Sequence, residues 1–302
     1  MITIVGSLNM DLVVHITRLP RIGETIIGER FMTFPGGKGA NQAVAVSRLG
    51  GRATMIGCVG HDLFGKELIS NLTLNGVNVS NIKTIKEEST GVAVITVNSE
   101  GDNCIILDPG ANFGLSPEDI TSKKDIIMNS KILLVQLEVP LITVKESLEI
   151  ASENNVMTIL NPAPARELDC EIFSMIDIIT PNETECEFLT GVKIHTIEDA
   201  GRAIKILKNK GVKQVIITAG NKGVYFERNG KVTNRSVPEV EVVDTTAAGD
   251  AFNGALAVSL SKGMDIDDAI DFCNIVGTLT VMKSGAQASL PTLKQVEEYR
   301  RG

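Results

Sequence analysis

The stretch Asp244-Thr245-Thr246-Ala247-Ala248-Gly249-Asp250-Ala251-Phe252 sets small residues and two aspartates ahead of a helical pattern over Asn253 to Ser261. Small residues before a helix leave bare N–H groups free to converge on an anion, and the positive end of the helix dipole adds to the attraction. An aspartate one residue after the glycine stands at the helix mouth. There it can take a hydroxyl proton while the amides hold a transferring phosphoryl group, which makes Asp250 the candidate general base. The alternative is that Asp250 only complements the helix dipole, worth about 0.3–1 kcal/mol.

A second cluster, Phe34-Pro35-Gly36-Gly37-Lys38-Gly39-Ala40-Asn41, opens another helix. It is not a P-loop, because Gly39 follows Lys38 where Ser or Thr is required, and it is not a dinucleotide fingerprint. Its glycines let a polar ligand approach the backbone, while Lys38 and Asn41 offer donors and an acceptor suited to vicinal hydroxyls. A purely structural glycine turn is the alternative. A third cluster, Gly6-Ser7-Leu8-Asn9-Met10-Asp11, follows the first strand. Asn9 and Asp11 face one side of an extended chain, and open parallel sheets bind ligands beyond their strand C-termini. Thr180-Pro181-Asn182-Glu183-Thr184-Glu185 places carboxylates at a helix start, where they could hold a hydrated Mg²⁺ near phosphates or serve as caps. Thr218-Ala219-Gly220-Asn221-Lys222-Gly223 is a glycine turn that suits a nucleotide or joins two strands.

These clusters need a scaffold. Short apolar runs at Ile2 to Val5, Thr54 to Cys58, Ile132 to Val135, Val156 to Leu160, Ile176 to Ile179 and Gln214 to Thr218 read as strands buried on both faces. Between them, Gly39 to Leu49, Leu63 to Asn75, Thr143 to Asn154, Ile197 to Lys210 and Asp265 to Met282 are long enough to be crossover helices. The alternation predicts an α/β fold with a mainly parallel sheet covered on both sides. Leu12 to Phe34 and Gly91 to Leu107 break the rhythm with strand-like runs and no helix, and predict a small β-sheet lid outside the main layer. No repeat or linker divides the chain, so residues 1–302 are expected to form one domain carrying that lid.

Composition narrows the function. A net charge of -8 argues against a nucleic-acid partner, which needs a concentrated basic face. The five cysteines are scattered without a CxxC pair, so they predict buried thiols in a reducing compartment rather than disulfides or metal ligands. His15, His61 and His195 are dispersed and carry no assigned role. The start of the chain lacks a signal-peptide pattern and no apolar run reaches the roughly 18 residues a membrane span needs; a cytoplasmic protein is the expectation.

Taken together, the motifs Gly36-Gly37-Lys38-Gly39-Ala40-Asn41 and Asp244-Thr245-Thr246-Ala247-Ala248-Gly249-Asp250, in this order and separation, resemble the ribokinase (PfkB-type carbohydrate kinase) family, and the resemblance runs from Ile2 to about Pro291. It implies a three-layer α/β/α sandwich with a small β lid. It also implies ATP-dependent phosphorylation of D-ribose at the 5-hydroxyl, or of another small sugar such as 2-deoxyribose or fructose. Residue by residue, it implies a sugar held by Asn9, Asp11, Gly37, Lys38, Asn41 and Glu138, with Asp250 accepting the proton and the amides of Ala247, Ala248 and Gly249 forming an anion hole. ATP would meet Asn182, the turn Thr218, Ala219, Gly220, Asn221, Lys222 and Gly223, together with Gly249, Asp250 and Asn274. Glu185 would organise the water shell of Mg²⁺, and Asp244, Thr246, Thr280, Lys283, Gly285 and Ser289 would hold a monovalent cation, usually K⁺. Family members commonly dimerise through their lids. Two other classes compete: a non-catalytic sugar-responsive protein, disfavoured by the intact Asp250 motif, and a nicotinamide dehydrogenase, disfavoured by the lack of GxGxxG after the first strand.

Overall fold

The computed structural model describes residues 1–301. The chain opens with β1 (Ile2–Val5), β2 (Asn9–His15) and β3 (Arg30–Gly36), then α1 (Lys38–Arg48), β4 (Ala53–Gly60), α2 (Leu63–Leu74), β5 (Asn78–Ile85), β6 (Gly91–Val97) and β7 (Asn103–Asp108). Past a short turn of helix at Gly110–Gly114 follow α3 (Pro117–Thr121), α4 (Lys124–Met128), β8 (Ile132–Val135), α5 (Leu141–Glu153), β9 (Met157–Leu160), α6 (Cys170–Ser174) and β10 (Ile178–Ile179). The remainder comprises α7 (Glu183–Thr190), α8 (Ile197–Asn209), β11 (Gln214–Thr218), β12 (Val224–Arg228), β13 (Lys231–Arg235), α9 (Ala248–Ser261), α10 (Ile266–Val281), α11 (Ala286–Ser289) and α12 (Leu293–Arg301).

Nine strands form the main sheet in the order β13-β12-β11-β10-β9-β8-β1-β4-β5. From β5 through β11 neighbouring strands are parallel, and only the β11–β12–β13 hairpin edge is antiparallel. The period of two sorts each strand between two cores. Ile2, Ile4, Met55, Val59, Ile132 and Leu134 face α1, α9 and α10, whereas Val5, Ile56, Cys58, Leu133 and Val135 face α5, α7 and α8. Both faces are therefore covered, and the expected three-layer sandwich is present. The sequence reading missed β5 and the β12–β13 hairpin, which lie at the sheet edges.

The second sheet has the order β3-β2-β6-β7 and comes from the two segments that broke the α/β rhythm. It begins where β1 ends: Gly6-Ser7-Leu8 carries the chain off the main sheet into β2, so Asn9 and Asp11 enter the lid directly above the strand C-termini. The N-terminus of α1 docks on that same turn. Gly37 is at φ +87 and a Cβ on it would sit 2.6 Å from the Asn9 amide nitrogen, while one on Gly39 would sit 2.7 Å from Ser7 N. Only glycine allows this approach.

Candidate active site

The site forms where α1, α9, the turn after β1 and the base of the lid meet. Helix α9 begins at Ala247, which holds a left-handed φ of 63 and has no side-chain cap. Left-handed backbone is costly for alanine and persists where its surroundings enforce it. The Ala248 amide turns back to the Thr245 carbonyl at 3.2 Å, while among the described residues the amides of Ala247, Gly249 and Asp250 meet no protein acceptor. Of the three amides expected to form an anion hole, Ala247 and Gly249 are thus free and Ala248 is engaged in the turn. A Cβ built on Gly249 would meet nothing within 4 Å. The glycine leaves an open approach to a helix N-terminus, the geometry suited to an oxyanion.

Asp250, in the first turn of α9, is 6% exposed. Its two oxygens are held by successive residues of α1: Asn41 Nδ2 donates to Oδ2 at 2.9 Å and Gln42 Nε2 to Oδ1 at 3.0 Å. Burial raises the Asp250 carboxyl above the ordinary carboxylate range, opposed by the Lys38 charge and by the Asn41 and Gln42 donors. Burial alone would lower the Lys38 ammonium, yet the carboxylates of Asp250, Glu138, Glu185 and Asp11 around it hold it above its usual value. The buried Asn41 Oδ1 has no hydrogen-bond partner among the described residues. A buried, unpaired acceptor beside the candidate base is a place for a ligand hydroxyl.

Toward the lid, Glu138 follows β8 and accepts from the Ser7 hydroxyl, from Asn9 Nδ2 at 3.5 Å and from the Lys38 amide at 3.2 Å. Asn112, downstream of β7, orients Asn9 by donating to its Oδ1 at 2.7 Å and to the Leu8 carbonyl at 3.1 Å. Asp11 is pushed up to about 7 by burial and by the nearby Glu138 and Asp250 charges, with Lys38 acting in the other direction. Asn9, Asp11, Gly37, Lys38, Asn41, Glu138 and Asp250 are therefore brought into one neighbourhood rich in donors and acceptors and poor in apolar surface.

A cavity beside Asp250 is lined by Lys38, Asn161, Ala163, Thr180, Asn182, Glu185, Thr218, Thr245, Ala247, Gly249 and Asn253. Asn182 caps α7 and exchanges hydrogen bonds with Glu185: the carboxylate accepts from the Asn182 amide at 2.9 Å and from its Nδ2 at 3.0 Å. Burial raises Glu185, opposed by those donors and by Lys38, with Asp250 adding to the rise. The Thr218 amide donates to the Pro181 carbonyl, and Lys222 pairs with Glu183 at 2.8 Å, so the two loop segments lie side by side. Ala219, Gly220, Asn221 and Gly223 make the connection between β11 and β12. Asn274 does not line this cavity, and its Nδ2 donates to the Ser236 carbonyl at 3.1 Å.

On the far side of α9, Asp244 accepts from the Thr246 amide and the Gly285 amide, each at 2.9 Å. Burial raises its carboxyl, but the Thr246 and Gly285 donors outweigh that and hold it below the usual range. The Lys283 amide returns to the Thr280 carbonyl and the Ser289 hydroxyl donates to the Ala286 carbonyl, while the Gly285 contact ties Asp244 to the connection between α10 and α11.

Sequence reasoning missed Ser7, Gln42, Asn112, Gln136, Asn161, Thr180 and Asn253. Gln42 had a signal, its adjacency to Asn41 in the glycine-rich motif, whereas Asn112 is 104 positions from Leu8 and had none.

The chain matches the pfkB family carbohydrate kinase profile over residues 1–293. It is 41% identical to a ribokinase of Haemophilus influenzae over 298 residues, 99% of this chain and 97% of that protein. A deoxyribokinase of Salmonella typhi is 36% identical over 299 residues, 99% of this chain and 98% of its own. The structure of Arabidopsis thaliana ribokinase complexed with ribose and ATP superposes with a TM-score of 0.93 at 34% identity, covering 98% of this chain and 97% of that one.

Proposed function

The chain belongs to the pfkB family of carbohydrate kinases, and from that membership we propose that it phosphorylates D-ribose at the 5-hydroxyl, converting ATP to ADP and ribose to ribose 5-phosphate. One observation carries the chemistry: a buried carboxylate, Asp250, stands at an uncapped helix N-terminus with both oxygens pinned by Asn41 and Gln42. The ribokinase relatives, and the neighbour complexed with ribose and ATP, carry the substrate.

Asn9, Asp11, Gly37, Lys38, Asn41 and Glu138 hold the sugar, with Asn41 Oδ1 accepting from one of its hydroxyls. The 5-hydroxyl lies against Asp250, which takes its proton as the phosphoryl group transfers in line. The N-terminal amides of α9 and the Lys38 ammonium stabilise charge on the transferring group, in a site that the lid shields from water. Asn182 and Thr218 to Gly223 form the nucleotide side.

Among the described residues no three or more His, Cys, Asp or Glu side chains form a metal cluster. That fits Mg²⁺ carried on nucleotide phosphates and water rather than in a protein cage, with Glu185 holding its water shell. When bound, the ion would neutralise phosphate charge. The cluster of Asp244, Thr246, Thr280, Lys283, Gly285 and Ser289 offers one ionised carboxylate and hard oxygen donors, a set that fits a monovalent cation such as K⁺.

By strand register Phe31, Val94 and Ile106 lie on the lid face opposite Asp11, and they are 61%, 38% and 68% exposed. We assign this face to a homodimer in which two lids cover each other. Among the described residues no helix is long and apolar enough to cross a membrane. Because the reaction draws on ATP, we assign the enzyme to the cytoplasm. The deoxyribokinase relative makes 2-deoxyribose the second reading.

The test is ADP release in Mg²⁺-ATP with ribose, 2-deoxyribose, fructose, fructose 6-phosphate or adenosine, each with K⁺ and with Na⁺ alone. Ribose should give the highest kcat/KM, and K⁺ should raise it. Preference for another substrate overturns the sugar assignment, and no turnover with any of them overturns the activity.

A further inference from the structure

Asp250 is held from two sides by adjacent residues of α1, which differ in what else they meet. Asn41 faces the sugar site, but Gln42 is fully buried, does not line the cavity and touches no position a substrate would occupy. We propose that Gln42 is a positioning residue for Asp250, locked by Gln136 so that it presents an N–H donor, and never its carbonyl, to the carboxylate. The inference rests on Asp250 being the general base.

A glutamine amide is nearly the same shape either way round, with two N–H donors on one side and a carbonyl acceptor on the other. Gln42 Nε2 donates to Asp250 Oδ1 at 3.0 Å and to Asn161 Oδ1 at 3.2 Å, and its Oε1 accepts from Gln136 Nε2. All of its hydrogen-bonding capacity on the nitrogen side is therefore spent. Rotated by half a turn, its carbonyl would face two further oxygens, and the site would favour a protonated Asp250, which cannot act as a base. The donor from Gln136 opposes that state, and so does Asn161 Oδ1, whose own amide nitrogen is turned to the Thr180 carbonyl at 3.4 Å. Gln136 is itself fully buried in the loop after β8, and a Cβ on Gly6 would collide with its Oε1. That oxygen has no partner among the described residues, and the nitrogen side of the amide faces Gln42. The relay Gln136 to Gln42 to Asp250 runs through buried atoms only, where a hydrogen bond to a charged group counts most.

The charged groups facing Asp250 are Lys38 from α1, Glu138 after β8, Glu185 from α7 and Asp11 from β2. Lys38 favours its ionised form and the three carboxylates disfavour it. Gln42 adds no charge, so replacing it isolates the contribution of one donor.

The experiment measures kcat and KM for ribose, with saturating Mg²⁺-ATP, from about pH 5.5 to 9 in the wild type, Gln42→Leu, Gln136→Met and Asp250→Asn. Gln42→Leu should lower kcat by up to about tenfold on the acid side of the profile and leave the ribose KM within about twofold. It should also move the acid limb of kcat/KM upward by about one pH unit, the size expected for one hydrogen bond to a charged group. The deficit should shrink on the alkaline side of that limb. Gln136→Met, which reaches Gln42 but not Asp250, should move the same limb the same way by less. An acid limb unmoved in both variants, or a raised ribose KM with kcat unchanged, overturns the proposal. If thermal melting shows that Gln42→Leu does not fold, Gln136→Met decides by the same criteria. Near-wild-type turnover in Asp250→Asn removes the base and this inference with it, whereas an inactive Asp250→Asn beside unmoved limbs overturns the inference alone.

Discussion

Asn41 Nδ2 lies 2.9 Å from Asp250 Oδ2, a contact between residues 209 positions apart that joins the first turn of α1 to the first turn of α9. Two sequence motifs, each ambiguous alone, thereby become one site: the glycine-rich start of α1 supplies the amide and α9 the carboxylate. The contact also leaves Asn41 Oδ1 buried without a partner among the described residues, next to the carboxylate at the start of α9.

Gly249→Ala separates binding from folding. The added methyl meets no protein atom within 4 Å, and alanine is favoured over glycine within a helix by about 0.5–1 kcal/mol. Thermal denaturation should show a variant at least as stable as the wild type. Its kcat/KM for ATP should fall by at least about tenfold, because the methyl occupies the approach to the helix amides. Unchanged ATP kinetics would mean that phosphate does not come to this helix end.

Asp11 makes the ligand-free protein sensitive to pH. Its carboxyl titrates near 7 in the folded chain against an ordinary value of 3.8, so the folded state binds this proton more tightly than the unfolded state. Its stabilising contribution is complete below about pH 4 and is lost as pH rises through about 7. Asp11→Asn should therefore melt higher than the wild type at pH 8, by roughly 2–4 °C for each kcal/mol relieved, and by less than half that margin at pH 5, while losing ribose affinity. Equal melting shifts at both pH values would contradict the coupling among Asp11, Glu138 and Asp250.

The lid face carrying Phe31, Val94 and Ile106 is too apolar to be left in water by design. Ile106→Glu should halve the mass seen by sedimentation equilibrium and lower kcat/KM by loosening the lid. A dimer that persists in this variant would place the subunit contact elsewhere.

Much of this was legible in the sequence because buried parallel strands announce themselves. Ile132 to Val135 and Gln214 to Thr218 were read with their observed bounds, since a strand covered on both faces must be continuously apolar. The edge strand β5, with its mixed pattern Asn-Val-Ser-Asn-Ile-Lys-Thr-Ile, and the polar hairpin β12–β13 lack that signature. The lid was legible for the opposite reason: two segments could not be fitted to crossover helices. Within the site, residues inside glycine-rich motifs were found. Asn112 and Gln136 were missed because their roles exist only through contacts with Asn9 and Gln42, made by chain closure rather than by any local pattern. The Asn182–Glu185 exchange is a helix cap, as the capping reading of that segment had it, and both residues also line the cavity.

The most direct test of the account is Asp250→Asn, assayed for phosphoryl transfer to ribose and, separately, for ribose binding by calorimetry. Ribose affinity should stay within a few fold of the wild type while kcat falls by about 10²–10⁴, the range of a lost general base. Turnover near that of the wild type would contradict it, because the buried carboxylate at the mouth of α9 would then take no part in moving the proton.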